Sequence, residues 1–438
     1  MKITFYGAAG EVGRSCFFLE DEGSGKNLLL DCGIKLGEKT EYPLLQDEEI
    51  RRIQNIFISH AHLDHSGYLP HIFAAGGKPN IFLTKPTRDL IGVLLSDYRR
   101  IQDQKGEQEN KFRQKDVDSV LKLANIAEFR EPVNLPFEST LHNAGHVLGS
   151  AFLRLSERNG IIYTGDLCMR NTRTMDGCER NLSAETLIVE STYGNKDDVI
   201  PSYRESGAKL VSIINETIAA GGHVIIPSFA VGRAQEILLM LDDYMRSGSL
   251  VKTKIFVEGM INKAMRIYRH NAYYASEDIK KRILMSEDDP FNSSFFHVSR
   301  SKDRKDVLGE PCIIVTTSGM LTGGPVHFYL EKLAGNPKNA LIFVGYQAEG
   351  TPGRKILNGE KKVKVGYGDD EREIDIALRI ENVRMSGHAD YNELLQFIKG
   401  VKGLKRVFLI HGEKQDLKYA LEKSYEVITP KLLESFSF

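Results

Sequence analysis

The chain has 438 residues, more than the roughly 250 to 300 at which a single hydrophobic core stops growing, so two domains are expected. Its 58 Lys and Arg nearly balance its 59 Asp and Glu, which excludes a uniformly basic nucleic-acid binder and confines any basic surface to a local patch. Five cysteines, Cys16, Cys32, Cys168, Cys178 and Cys312, are widely spaced with no CxxC pair, as reduced cytosolic thiols would be.

Short β-rich runs separated by turns fill the first third: KITFYG, SCFFLE, NLLLDCG, NIFISHA and NIFLTK. The opening has no basic segment leading into an apolar one, and no run reaches the ~18 apolar residues of a membrane span, so a cytoplasmic protein without membrane attachment is expected. A helix is expected from Thr87 to about Gln104. The polar run DQKGEQENKFRQKDV after it reads as a charge-rich helix or a loop, a solvated face either way. Strands return at STLHNAGH, AFLRLSE, GIIYTGD and LIVESTYG.

After Gly194 the rhythm changes to long helices alternating with apolar strands such as HVIIPSF, KIFVEG, PCIIVTTSG and ALIFVGYQ, the pattern of a parallel α/β sheet. From about Glu371 the chain reads as β again, EIDIALRIENVRMSGH, and closes on RVFLIHGE. The expected division is therefore residues 1–195, an inserted α/β domain at 196–370, and 371–438 completing the first domain. The end, VITPKLLESFSF, alternates Phe436 and Phe438 around Ser437, which predicts a last strand with one buried face. It either extends its own sheet or docks on a second copy as a homodimer.

The stretch IFISHAHLDHSG places His60, His62, Asp64 and His65 directly after an apolar run. Three of them alternate along an extended segment and His65 follows where the chain turns. Desolvating four such groups costs free energy unless something satisfies them together, and imidazoles with carboxylates are the zinc-type ligand set. Further donors are visible in His146 (NAGHVLGS), Asp166 (YTGDL) and His411 (FLIHGE), each at the end of an apolar run beside glycine. His71, His142, His223, His270, His297 and His327 lack such companions and read as ordinary histidines.

With Asp31 in LLLDCG, these motifs resemble the metallo-β-lactamase superfamily. ESTYG, IPSFAVGRAQE, TTSGM, GYQAEGTPGR, MSGHAD and IHGE resemble more narrowly its β-CASP branch of nucleases, and GAAGEVGRSCFFLE is similar to the nuclease subunit of the cleavage and polyadenylation specificity factor and its prokaryotic relatives. The resemblance implies a metallo-β-lactamase αββα sandwich with an inserted β-CASP α/β domain. It implies two Zn2+, one on His60, His62 and His146, the other on Asp64, His65 and His411, with Asp166 bridging and Asp31 orienting a ligand.

The resemblance also implies a zinc-dependent ribonuclease acting on single-stranded RNA, an endonuclease, a 5′ to 3′ exonuclease or both, working alone, as a homodimer or in a larger RNA-processing complex. Metal binding lowers the pKa of water to about 7, which supplies a nucleophile. Glu190 and His388 match the branch's acidic and histidine motifs, and with Asp64 form the expected catalytic set. His388 would protonate the leaving oxygen, leaving 5′-phosphate and 3′-hydroxyl ends; its alternative is a structural histidine. Ser228, Arg233, Thr317 and Ser318 sit at strand-to-helix or strand-to-loop junctions suited to phosphate; their alternative is N-capping and packing, which fits the two serines equally well because Ser is a favoured cap. A cleft between two domains would admit single strands more readily than duplex.

Competing readings are a DNA nuclease of the same branch, a small-molecule metallo-hydrolase and a flavodiiron-type oxidoreductase. The last resembles HxExDH where this chain has His62, the long insertion argues for a polymer substrate, and His411 resembles the RNA-type choice at the last motif, although the chemistry itself does not use the ribose 2′-hydroxyl.

Overall fold

The computed structural model describes residues 1–37, 39–105, 112–286, 288–366, 370–413 and 416–437. They form two compact units, one of Met1–Asn171, Met175–Val199 and Gly387–Phe438, the other of Thr172–Thr174 and Ile200–Ser386.

The outer unit holds two seven-stranded sheets. The first runs, in spatial order, Ser435–Ser437, Lys2–Phe5, Phe17–Asp21, Lys26–Leu30, Asn55–Phe57, Asn80–Leu83, Ala124–Ile126. The second runs Glu426–Ile428, Arg406–Ile410, Thr186–Glu190, Ile161–Tyr163, Ala151–Leu155, Ser139–Asn143, Pro132–Val133. Alternating apolar residues of both build one core: Phe5, Phe17, Leu28 and Phe57 from the first pack with Leu153, Tyr163, Ile188 and Phe408 from the second. The outer face of the second sheet is covered by Tyr391–Gly400, whose Leu394, Phe397 and Ile398 recur at helical spacing. This is the expected αββα sandwich, and the expected helix is present as Lys85–Lys105. The polar run after it falls partly outside the described residues and resumes as the helix Gln114–Lys122.

The terminal strand Ser435–Ser437 pairs antiparallel with Lys2–Phe5, and Phe436 packs on Phe5 and Phe408 with ring centroids 6.0 and 5.4 Å apart. It therefore extends its own sheet; Phe438 lies outside the described residues.

The inserted unit is a six-stranded sheet in the order Phe296–Val298, Ile255–Val257, Ile313–Thr316, Val224–Pro227, Ala340–Phe343, Arg379–Asn382, every pair parallel. Its strands are apolar on both faces where helices cover them, as in the fully buried Ile313–Thr316 and Ala340–Phe343. The expected return to the first domain at 371 is not where the structure puts it. Arg372–Asp375 pairs with Lys362–Val365 as a small hairpin, and Arg379–Asn382 becomes the edge strand beside Ala340–Phe343. The crossing falls at Gly387. Alternating β character shows that a segment is a strand but carries no information about which sheet edge it joins.

GRAQE also finds its place in the inserted unit. Gln235 accepts from Gly232 N (2.8 Å) and donates to Ala230 O (3.0 Å), bracing the turn into Arg233–Arg246. Buried Glu236 accepts from Thr172 Oγ1, Arg173 N and Thr174 N at 2.6, 2.9 and 2.8 Å, which ties Thr172–Thr174 into this unit. Among the described residues no helix is long and apolar enough to cross a membrane.

Candidate metal centre

The strand Asn55–Phe57 delivers Ser59 and His60 to the sheet edge, and a one-turn helix, Leu63–Ser66, begins directly after His62. Asp64 thus lies in the helical turn with His65 rather than on the extended run expected from the spacing. The turn forms because His62 O accepts from His65 N and Ser66 N, both at 3.0 Å, while Ser66 Oγ donates to Ala61 O. Asp64 O comes so close to Gly33 that a Cβ there would sit 1.7 Å from it, which is why the DCG turn carries glycine.

His146, Asp166 and His411 arrive from other strand ends of the outer unit. Donor atoms of His60, His62, His146 and Asp166 all lie within 4.8 Å of one another, as do those of His65, Asp166 and His411. A further group, His60, Asp64 and His65, meets the same limit, and His411 Nε2 stands 3.5 Å from Asp64 Oδ2. Every donor read from the sequence is therefore brought into one place, with Asp166 common to two of the groups.

The orientation of each ring is set from behind. His65 Nδ1 donates to Asp31 Oδ2 at 2.6 Å, and Asp31 in turn accepts from Ser59 N (2.7 Å), Ser59 Oγ (2.6 Å) and Tyr163 Oη (2.5 Å). His146 Nδ1 donates to Gly387 O at 2.7 Å. Thr192 Oγ1 donates to Glu190 Oε2 at 2.6 Å and lies 3.2 Å from His411 Nδ1. His65 and His146 are thereby left with Nε2 toward the shared centre, the arrangement that outer partners impose on metal-ligating histidines, while His411 faces it with both nitrogens, Nε2 3.5 Å from Asp64 Oδ2 and Nδ1 3.4 Å from Asp166 Oδ1. Asp31 and His411 both hold positive φ, 57° and 50°, a conformation uncommon for such residues and concentrated at functional sites.

Whether these residues suit a cation can be read from three features. His65 Nε2, Asp166 Oδ1 and His411 Nε2 are buried without a hydrogen bond. The ring nitrogens of His60, His62 and His146 converge, with His62 Nδ1 3.2 Å from both His60 Nε2 and His146 Nε2. Burial, reinforced by neighbouring imidazoles, holds His60 and His146 well below the usual histidine range, in the neutral form that donates to metal. Burial opposes charge on His65 as well, yet Asp166 and Asp31 raise it well above that range, so this corner of the site favours positive charge. The donor set fits.

Beside it, buried Glu190 accepts from Leu167 N (2.6 Å) and from His388 Nδ1 (2.9 Å), and His388 Nδ1 lies 3.8 Å from Asp166 Oδ2. Burial pulls the His388 imidazole down, but the Glu190 and Asp166 carboxylates outweigh it and raise its pKa to about 9. The loop carrying His388 is clamped to the loop carrying Asp166. Ala389 N donates to Leu167 O at 2.7 Å, and Arg170 reaches Glu393 through Nε (3.0 Å) and Nη2 (2.8 Å) and Asp390 through Nη2 (3.1 Å). Asp390 and Glu393 form the capping box of Tyr391–Gly400. Sequence reading missed Arg170, Thr192, Ser59 and Tyr163. Only the D-x-x-E box of the helix had a sequence signal.

In the inserted unit Ser228 follows Val224–Pro227, and Thr317 and Ser318 follow the neighbouring strand Ile313–Thr316, with Ser228 N donating to Thr316 O at 2.9 Å. Ser228 does not cap the next helix; Gly232 holds that position. Ser228 Oγ and Arg233 Nη1 are buried without a partner, while Ser318 Oγ lies 3.2 Å from Thr322 Oγ1.

A sandwich with this donor set and a parallel insertion defines a metallo-hydrolase class, and comparison with known families agrees. Residues 9–223 match the metallo-beta-lactamase superfamily, 234–356 the Beta-Casp domain, and 373–430 the Zn-dependent metallo-hydrolase RNA specificity domain. The chain belongs to the β-CASP branch of the metallo-β-lactamase superfamily. It is 36% identical to the transcription termination factor FttA of Methanothermobacter thermautotrophicus, covering 99% of this chain and 71% of that protein. It is 37% identical to the proteins of that name from Methanocaldococcus jannaschii, over 94% of this chain and 67% of the relative, and Thermococcus kodakarensis, over 98% and 70%.

Proposed function

We propose that this chain is a zinc-dependent ribonuclease that hydrolyses phosphodiester bonds of single-stranded RNA. The observation that carries the reading is the sharing of Asp166 between the group of His60, His62 and His146 and that of His65 and His411. The first group would hold one Zn2+, His65, His411 and Asp64 a second, and Asp166 both. Bound zinc lowers the pKa of water to about 7 and offsets phosphoryl charge.

The side chains do the rest. Asp31 keeps His65 turned toward the centre through the 2.6 Å contact. Glu190 keeps a proton on His388 Nδ1, so the proton delivered is the one on Nε2. The oxygen of water bonds to phosphorus and releases one of its protons to solvent, the bond from phosphorus to O3′ breaks, and O3′ takes the His388 proton, which the imidazole regains from solvent, leaving a 5′-phosphate and a 3′-hydroxyl. Ser228, Arg233, Thr317 and Ser318 bind the phosphate backbone. Their support is their place at the carboxyl ends of adjacent parallel strands, where open α/β sheets bind ligands, and the buried, unpartnered Ser228 hydroxyl.

RNA is preferred over DNA because the C-terminal match is to an RNA specificity domain. The relatives' name, transcription termination factor, supports transcripts as the RNA and a transcription assembly as the partner. The test is cleavage of 5′-labelled and 3′-labelled single-stranded RNA with and without chelator. Discrete fragments indicate an endonuclease and mononucleotides from the 5′ end an exonuclease; no cleavage by the zinc-loaded protein would sink the reading.

A further inference from the structure

From Gly259 to Ser276 the chain contains no Asp or Glu, whereas Lys263, Arg266, Arg269 and His270 fall in that stretch, a local imbalance in a chain whose net charge is −1. Its centre is the helix Ile261–His270, with Ile261, Ala264, Met265 and Tyr268 buried and Lys263, Arg266, Arg269 and His270 exposed. Lys263, Arg266 and His270 recur at helical spacing, so they share the outward face. Arg269 is paired with Asp289 at 2.6 Å; among the described residues Lys263 and Arg266 have no carboxylate within ion-pair distance. The helix Lys85–Lys105 shows the ordinary alternative. There Lys85 and Arg88 pair with Asp89, Arg99 with Asp103 and Arg100 with Asp97.

Directly after the basic helix, the turn Ala272–Tyr274 exposes Tyr273 at 73% of its surface, with Tyr274 edge-on at 5.9 Å and Lys280 Nζ 5.5 Å over the Tyr273 ring. Lys280 itself pairs with Glu277 at 2.6 Å. An exposed ring in the turn that follows a helix bearing cations without carboxylate partners supplies the two elements that bind single-stranded nucleic acid: cations follow the backbone and the ring stacks a base without selecting it.

We infer that the helix face carrying Lys263 and Arg266, together with Tyr273 in the turn that follows the helix, is an accessory binding surface for single-stranded RNA, used by long substrates and not by short ones. The inference rests on the ribonuclease reading for its choice of RNA, and its ligand is the sugar-phosphate backbone with one stacked base. Two phosphate contacts would contribute about 1.4 to the salt dependence, at roughly 0.7 per contact on a single strand.

The test uses the full zinc-loaded chain with a 30-nucleotide and a 5-nucleotide oligouridylate. The double substitution Lys263→Glu with Arg266→Glu should raise KM for the long RNA about tenfold more than for the short one, and lower the slope of log KM against log salt by about 1.4. Tyr273→Ala should raise KM for the long RNA about fivefold with little change in that slope. Equal KM changes for both lengths, or none, overturn the proposal. So does retention of the wild type by phosphatidylserine vesicles that the double substitution abolishes while RNA binding stays intact. If the wild type cleaves no RNA, the ribonuclease reading fails by itself; filter binding of the 30-nucleotide RNA then decides the surface independently.

Discussion

The metal centre of the outer unit and the strand ends of the inserted sheet both gather polar side chains where strands stop, but they hold them differently. At the centre, Asp31 and Gly387 O each take the far nitrogen of a histidine, and Glu190 takes that of His388. At the inserted strand ends, Ser228 Oγ and Arg233 Nη1 are buried with no protein partner. The first arrangement is organised before anything binds, so ligand capture there needs little reorganisation. The second has no such partners among the described residues, which is what the proposed substrate-binding role would use, since buried polar atoms in native proteins otherwise find partners. The contrast separates chemistry, expected to appear in kcat, from grip, expected in KM.

Asp166→Ala should break the first region most completely, because one carboxylate serves both donor groups. Cleavage is expected to fall about a thousandfold or more, with bound zinc reduced in elemental analysis and circular dichroism retained. Wild-type activity at chelator excess would contradict it. His388→Ala is expected to lower kcat by about 10² to 10⁴ with zinc retained, and the defect should shrink on a nitrophenyl phosphodiester, whose leaving group needs no proton. Loss of zinc, or an equal defect on both substrates, would make His388 structural.

Arg170→Ala sharpens the same point at one remove. Arg170 reaches Asp390 and Glu393 on the His388 loop, so it is a positioning residue, and kcat should drop about tenfold with the leaving-group dependence seen for His388→Ala. Arg170→Lys should restore only part of it, since an ammonium lacks the planar fork. A drop that is equal for activated and unactivated substrates would place the clamp outside the chemistry. The smallest effect is expected at the C-terminus. Deleting residues 435–438 removes Phe436 from its contacts with Phe5 and Phe408, costing about 1.5 to 3 kcal/mol of stability in denaturant titration. If the same edge also joins a second copy, light scattering should show the wild-type dimer become a monomer; a wild-type monomer at micromolar concentration rules the dimer out.

Much of the centre was legible because His60, His62, Asp64 and His65 are nearly contiguous, and no ordinary set of hydrogen bonds satisfies four such groups at a buried strand end. His146, Asp166 and His411 were legible as strand-end residues beside glycine, yet their partnership was not. Arg170 reads as any surface arginine until the fold sets it against the capping box of a helix more than two hundred residues later. Arg379–Asn382 reads as a strand of the outer domain, and only its parallel pairing with Ala340–Phe343 assigns it to the insertion.

The sequence by itself therefore determined a metal-type donor set, a β-rich chain with a parallel α/β insertion, and the existence of most elements, because ligand type, side-chain period and turn residues act over a few neighbouring positions, while the αββα class was reached through the family resemblance. The tertiary structure decided which donors share Asp166, why Asp64 turns in with His65, where the insertion ends and which ring nitrogen each histidine presents. Those outcomes depend on strand pairing and loop contacts between residues far apart in the chain, and such contacts are specified only when the two sheets close on a common core.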